Sequence, residues 1–235
     1  KPWGKIQQDC DPEVRRSVVD ALREIGDAHA IGLTQASNRP LKIALVWDRP
    51  RGIEKDCDPE VRRSVVDALR EFSDAIAIDA LGLALVGNRQ SGIKRDDDGL
   101  VRARAIDALR LALVGCPNGL HKKHDDLEVR RRVVGVLREI RDANATDALR
   151  LALVGCRQLE MKKDDDLGVR RCVVDALGEI GDVSAIDALS LALVGDRPKG
   201  IEQDDDLEVR RSVVDALRET GDAKAFDALR LALVG

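Results

Sequence analysis

The chain has 235 residues, with 39 basic side chains against 43 acidic ones and a formal charge of -4. That balance removes the overall electrostatic pull of nonspecific nucleic-acid binding, and no run of about 18 apolar residues exists to span a membrane. Apolar residues make up 44% of the chain but only Trp3, Trp47, Phe72 and Phe226 are aromatic, so the core must be aliphatic.

The chain opens on Lys1, and residues 1–6 lack the apolar stretch of a signal peptide, as expected of a fragment or a processed product. The five cysteines are odd in number. Cys10 and Cys57 occupy equivalent places in a repeat, as do Cys116 and Cys156. Equivalent positions in stacked helical repeats lie roughly 10 Å apart, beyond the Cα reach of about 7 Å for a disulfide. Reduced thiols and a cytoplasmic location are the expectation.

The repeat is the dominant feature. V-R-R-x-V-V-D-A-L-R-E recurs with small changes from Val14, Val61, Val129, Val169 and Val209, with a shortened form at Val101. Five of the six repeats close on Leu-Ala-Leu-Val-Gly, beginning at Leu83, Leu111, Leu151, Leu191 and Leu231. In the first repeat, Val14, Val18, Ala21, Leu22 and Ile25 share one helical face, opposite Arg16, Asp20 and Arg23. This predicts an amphipathic helix A over 12–25, capped by Asp11, begun by Pro12 and stopped by Gly26. Residues 32–40 then insert into its helix B, which Pro40 should break.

The second repeat predicts helices over 59–71 and 75–86. In the third, Val101-Arg-Ala-Arg runs straight into Ala105-Ile-Asp-Ala-Leu, leaving one helix where two belong. Such a repeat either kinks or divides the array, or is a degenerate repeat without a bend. The remaining repeats predict helices over 127–140 and 143–154, 167–180 and 183–194, and 207–220 and 223–234. Asp58, Asp98, Asp126, Asp166 and Asp206 are the expected A-helix caps. Helix B is apolar on more than one face: Ile186, Leu189, Ala192 and Leu193 form one stripe, and Leu191 and Val194 lie elsewhere. It therefore needs neighbours on several sides, and the expected fold is an all-α solenoid of stacked hairpins, irregular in its first and third repeats. The expected organisation is two hairpins over 1–98, a single-helix repeat over 99–120 and three hairpins over 121–235.

The pattern D-x-E-V-R-R-x-V-V-D-A-L-x-E-I-G-D-x-x-A-I-D-A-L resembles HEAT-like repeats of the phycobilisome-lyase (PBS lyase) type. The resemblance implies that the Arg of the V-R pair, here Arg15, Arg62, Arg102, Arg130, Arg170 and Arg210, joins a polar ladder between repeats. It also implies a choice among bilin lyases, scaffolds and a di-iron hydroxylase, which fold alone does not make. The hydroxylase holds iron with His-Glu pairs, whereas His29, His121 and His124 are followed by Ala, Lys and Asp. A bilin site calls for aromatic stacking surface that four scattered aromatics supply poorly. No phosphate loop, nucleophile elbow or H-E-x-x-H motif appears.

The loops from B to the next A are long. Each carries one apolar residue five positions before the capping Asp (Ile6, Ile53, Ile93, Met161 or Ile201), read as an anchor that folds back on the end of helix B. The acidic runs 96–98, 164–166 and 204–206 lack EF-hand spacing; their last Asp is a cap and its neighbours sit at the positive end of a helix dipole. In the fourth repeat's loop His121 replaces the anchor and His124 the first Asp. With Cys116 and Cys156 they form a weak candidate zinc set, the alternative being a solvated loop. Cys172 is expected to be a small, half-buried residue.

On the B helices a candidate partner face combines Asp79, Asp107, Asp147, Asp187 and Asp227 with Leu83, Leu111, Leu151, Leu191 and Leu231, and with Arg110, Arg150 and Arg230 beside them. The competing explanation is that neighbouring elements bury the Leu ridge and that Asp and Arg neutralise each other at i,i+3. Leu229, Leu231, Leu233 and Val234 follow the internal consensus without a polar cap, so either further repeats or end-to-end self-association is expected. The sequence as a whole points to a non-catalytic protein-interaction scaffold with no cofactor, a bilin lyase-like enzyme or chromophore-protein chaperone being the alternative.

Overall fold

The structure is a computed structural model and describes residues 11–28, 45, 55–72, 74–88, 92–116, 123–196, 198 and 200–234. Its helices are α1 (Pro12–Ala28), α2 (Pro59–Phe72), α3 (Ala75–Val86), α4 (Gly99–Val114), α5 (Leu127–Ile140), α6 (Ala143–Val154), α7 (Leu167–Ile180), α8 (Val183–Val194), α9 (Leu207–Thr220) and α10 (Ala223–Val234). Among the described residues the only extended pairing is in isolated bridges within loops. The fold is an all-α solenoid of helical hairpins.

Two compact units divide the chain, Lys1–Ala108 and Leu109–Gly235, and the division falls inside α4. In the first unit α1 packs on α2, and α2 pairs with α3. In the second, the A helices stack in the order α5, α7, α9 and the B helices in the order α6, α8, α10. Each A helix also packs on its own B helix, and α6 and α8 reach the next A helix, α7 and α9. A B helix with neighbours on three sides can afford apolar residues around most of its circumference, and α8 buries Ala185, Ile186, Ala188, Leu189, Ala192 and Leu193.

The helix starts follow the capping residues. Asp126 accepts the Glu128 N–H at 2.8 Å, Asp166 the Val169 N–H at 2.8 Å and Asp206 the Glu208 N–H at 2.7 Å. Asp11, Asp58 and Asp98 do the same for Glu13, Glu60 and Val101. The B helices are capped alike, by Asp74, Asp142 and Asp182. Asp126→Ala is expected to lower stability by about 1 kcal/mol; unchanged denaturation midpoints for this and Asp206→Ala would remove capping from the account.

One stop signal behaves differently. Gly181 and Gly221 end α7 and α9 in the left-handed conformation, but α1 continues through Gly26 to Ala28. A glycine within a helix costs only about 1 kcal/mol relative to alanine, which the flanking turns absorb. At the corresponding place after α5 stands Arg141, held at φ 50°. The third repeat is a single continuous helix, α4. The insertion at 32–40, Pro40 and the anchors Ile6 and Ile53 lie outside the described residues.

Candidate functional site

The most constructed feature of the molecule is the joint between consecutive repeats. The first Asp of each acidic run is buried and receives the V-R arginine of the preceding repeat in a two-pronged ion pair. Arg62 meets Asp96 through Nε at 2.8 Å and Nη2 at 3.0 Å. Arg130 meets Asp164 at 3.0 and 3.2 Å, and Arg170 meets Asp204 at 3.1 and 3.4 Å. Arg15 and Asp56 form the same pair at 2.7 and 3.0 Å, and the bond to Asp56 is the main cause that raises the Arg15 pKa.

The guanidinia of Arg62, Arg130 and Arg170 also turn back to their own repeats. Nη1 of Arg62 donates to the Asp56 and Cys57 carbonyls, that of Arg130 to the His124 and Asp125 carbonyls, and that of Arg170 to the Asp164 and Asp165 carbonyls. The buried carboxylate is satisfied from its own side as well, since Oδ1 of Asp56, Asp96, Asp164 and Asp204 accepts the N–H of the capping Asp two residues on. One side chain thus ties two loops and two helix starts together. A buried pair bonded from both of the repeats it joins fixes the register between them.

A second, outer row runs beside the first. Lys55 reaches Asp96 and Asp97, Lys123 reaches Asp164 and Asp165, and Lys163 reaches Asp204 and Asp205. These lysines hold the exposed carboxyls of Asp97, Asp165 and Asp205 below the ordinary carboxylate range. Because the folded pKa is lowered, the stabilisation is present above the unfolded value of about 3.9 and is lost as pH falls through the folded value. Thermal stability is therefore expected to decline on acidification from about pH 4 downward, and Lys163→Met should flatten part of that decline. An unchanged acid profile in that variant would contradict the outer row.

The loops that carry these aspartates fold back as small hairpins. Ile93, Met161 and Ile201 bridge to Asn88, Cys156 and Asp196, with N–O distances between 2.7 and 3.0 Å. Met161 is buried, and Ile93 and Ile201 are half-buried. The N–H groups of Asp96, Asp164 and Asp204 then donate to the carbonyls of Ala84, Ala152 and Ala192 in the last turn of the B helix. The apolar residue of each loop is an anchor, and the loop positions the ladder carboxylate.

In the fourth repeat His124 takes the place of that carboxylate. Its Nδ1 accepts the Asp126 N–H at 3.1 Å, as an Asp oxygen does elsewhere, and its backbone N–H donates to Ala112 at 2.8 Å. Cys116 and Cys156 are half-buried; His121 lies outside the described residues. Among the described residues no three His, Cys, Asp or Glu side chains converge as a metal-binding group.

The B-helix face divides. Leu111 and Leu151 are buried, Leu83 and Leu191 are half-buried and Leu231 is exposed. The helix that carries Leu151, α6, is flanked by α5, α7 and α8. Asp79, Asp107 and Arg110 are half-buried, and Asp147, Asp187 and Asp227 are exposed. Arg150 pairs with Asp147 at 2.8 Å and Arg230 lies 3.9 Å from Asp227, both at i,i+3, while Lys224 reaches Asp187 at 3.4 Å. Apart from the exposed Leu231, the exposed residues named on this face are charged, with the other leucines buried or half-buried beneath them.

Residues 169–195 and 209–235, the repeats of α7–α8 and α9–α10, match the PBS lyase HEAT-like repeat family. These two repeats are PBS lyase HEAT-like repeats. No curated protein matches the chain. The Arg170–Asp204 rung joins one HEAT-like repeat to the other, and the same pairing recurs at Arg15, Arg62 and Arg130 in repeats before them. The sequence pointed to the arginines but not to their acceptors. The available signal was a carboxylate that returns 34 residues after Arg62, Arg130 and Arg170 in loops that otherwise vary. Among the described residues no helix is long and apolar enough to cross a membrane.

Proposed function

We propose that the chain is a non-catalytic scaffold whose HEAT-like repeats hold B-helix surfaces for a protein partner in the cytoplasm. The observation that carries this reading is the use made of the buried ionisable groups. Asp56, Asp96, Asp164 and Asp204 are each bonded by an arginine and a backbone N–H, so their lone pairs serve the joints between repeats. The exposed side chains of Asp147, Asp187 and Asp227, with Arg150 and Arg230, supply an outer face of both charge signs on a firmly registered support. Such a face suits a protein segment with complementary charges.

The family match favours a second reading, a bilin lyase-like enzyme or a chromophore-protein chaperone, because the repeat takes its name from PBS lyase. Titration with free bilin separates the two. The scaffold reading expects unchanged bilin absorption, together with capture of a protein partner that is lost in the Asp147→Lys, Asp187→Lys double variant. A saturable shift of the visible bilin band, with partner capture indifferent to that double variant, would reverse the order of the two readings.

A further inference from the structure

In the V-R-R run the second arginine has carboxylates of its own. Arg63 bonds Glu60, three residues before it on α2, and reaches Asp98 at the next helix start at 3.0 Å. Arg211 bonds Glu208 on α9 at 2.9 Å. The glutamate recurs as Glu13, Glu60, Glu128 and Glu208, but α7 carries Gly168 in its place. Arg171, three residues further on and exposed, forms no ion pair among the described residues.

A second arginine borders the same gap from the neighbouring helix. α5 packs on α7, and Arg131 of α5 lays its guanidinium over Gly168, so that a Cβ at 168 would overlap Nη2. The ion pair of Arg131 is with the capping Asp166 at 3.6 Å, and Oδ1 of that carboxylate already accepts the Val169 N–H at 2.8 Å. Asp165, next along the loop, is engaged by Lys123. Residues three apart on a helix lie on one side of it, so Arg171 and Arg131 flank one stretch of bare backbone. Elsewhere one glutamate answers one arginine; here two exposed guanidinia share a place without a side chain.

The charge decides which anion suits them. A carboxylate balances one of the two arginines, whereas a phosphate monoester carries about -1.5 to -2 at neutral pH and offers three acceptor oxygens to two fork-shaped donors. We propose that Gly168, with Arg131 and Arg171 on either side, is a binding site for a phosphate monoester carried by a protein segment. The phosphate takes the place that Glu128 and Glu208 fill in the neighbouring repeats. This site is on the A helices and uses none of the B-helix residues invoked above, so it stands or falls independently of that reading.

The test follows the backbone amides of Gly168 and Val169 by NMR while the 235-residue chain is titrated with N-acetyl-O-phosphoserine amide, and in separate arms with the aspartate and unmodified serine amides. The phosphoserine compound is expected to give a saturable shift, with an affinity about tenfold or more above that of the aspartate compound. Gly168→Glu, which restores the residue of the other A helices, and Arg171→Gln should each weaken binding by about tenfold, read at Val169. Arg211→Gln, whose arginine already has Glu208, should bind as the parent does. The substituted positions are not part of the core, and far-UV circular dichroism verifies that each variant keeps its helices. Equal affinity in Gly168→Glu and the parent, equal affinity for the phosphoserine and aspartate compounds, or the absence of a saturable shift would each overturn the proposal.

Discussion

Arg130→Met is expected to destabilise the chain by about 3–5 kcal/mol, more than any surface substitution. Arg130 is 3% exposed and Asp164 2%. Removing the guanidinium leaves a buried carboxylate with, among the described residues, Lys123 at 3.8 Å as its remaining cation, and strips the His124 carbonyl of its donor. The penalty is that of an unpaired charge, so neutralising the partner should recover part of it. Adding Asp164→Asn, whose side-chain oxygen can still accept the Asp166 N–H, is expected to raise the urea midpoint relative to Arg130→Met alone. Arg210→Met provides the comparison: the same change at an open, half-buried rung should cost about 1 kcal/mol or less. Equal losses at the two arginines would mean that the buried pairing contributes nothing particular.

Gly155→Ala should be the next most damaging change, at about 2–3 kcal/mol. Gly155 sits at φ 68° and ψ -166°, a conformation that is essentially confined to glycine. A Cβ there would lie 2.6 Å from the Met161 carbonyl oxygen and 2.9 Å from the Lys163 nitrogen, both backbone atoms of the returning loop. Relief requires moving the segment that carries Asp164, so the ladder suffers with the turn. Gly181→Ala is the informative control. Gly181 also has a positive φ, 62°, but its Cβ would meet nothing closer than 3.5 Å, and the equivalent Arg141 already tolerates that backbone conformation. A loss of about 1 kcal/mol is expected there. Thermal melts in which Gly155→Ala is no worse than Gly181→Ala would show that the loop does not depend on the close approach.

Much of this was legible in local chemistry. Helical periodicity and the Asp caps placed the ends of α5 to α10, and the missing segment in the third repeat led to the single helix α4. Those features are decided by neighbours within a few residues along the chain. The Leu ridge was harder: Leu151 is buried and Leu191 half-buried although both open the same Leu-Ala-Leu-Val-Gly signature, one after Arg150 and the other after Ser190. The ladder carboxylates were harder still. Within one loop Asp164 reads as a residue near a helix dipole, and its role emerges only when the preceding repeat brings Arg130 against it. Contacts between repeats depend on stacking register, which no single repeat displays. Gly26 failed as a stop for a related reason: a glycine permits the left-handed turn but does not impose it.

The account turns on the claim that the acidic runs are joints between repeats, and a double-mutant cycle on Arg170 and Asp204 tests it most directly. Stability is measured for the parent chain, Arg170→Met, Asp204→Asn and the double variant. Two groups in direct contact, buried and bonded as a pair, should show a coupling energy of about 2–3 kcal/mol. Losses that add to within about 0.3 kcal/mol would contradict the account, because independent residues behave that way.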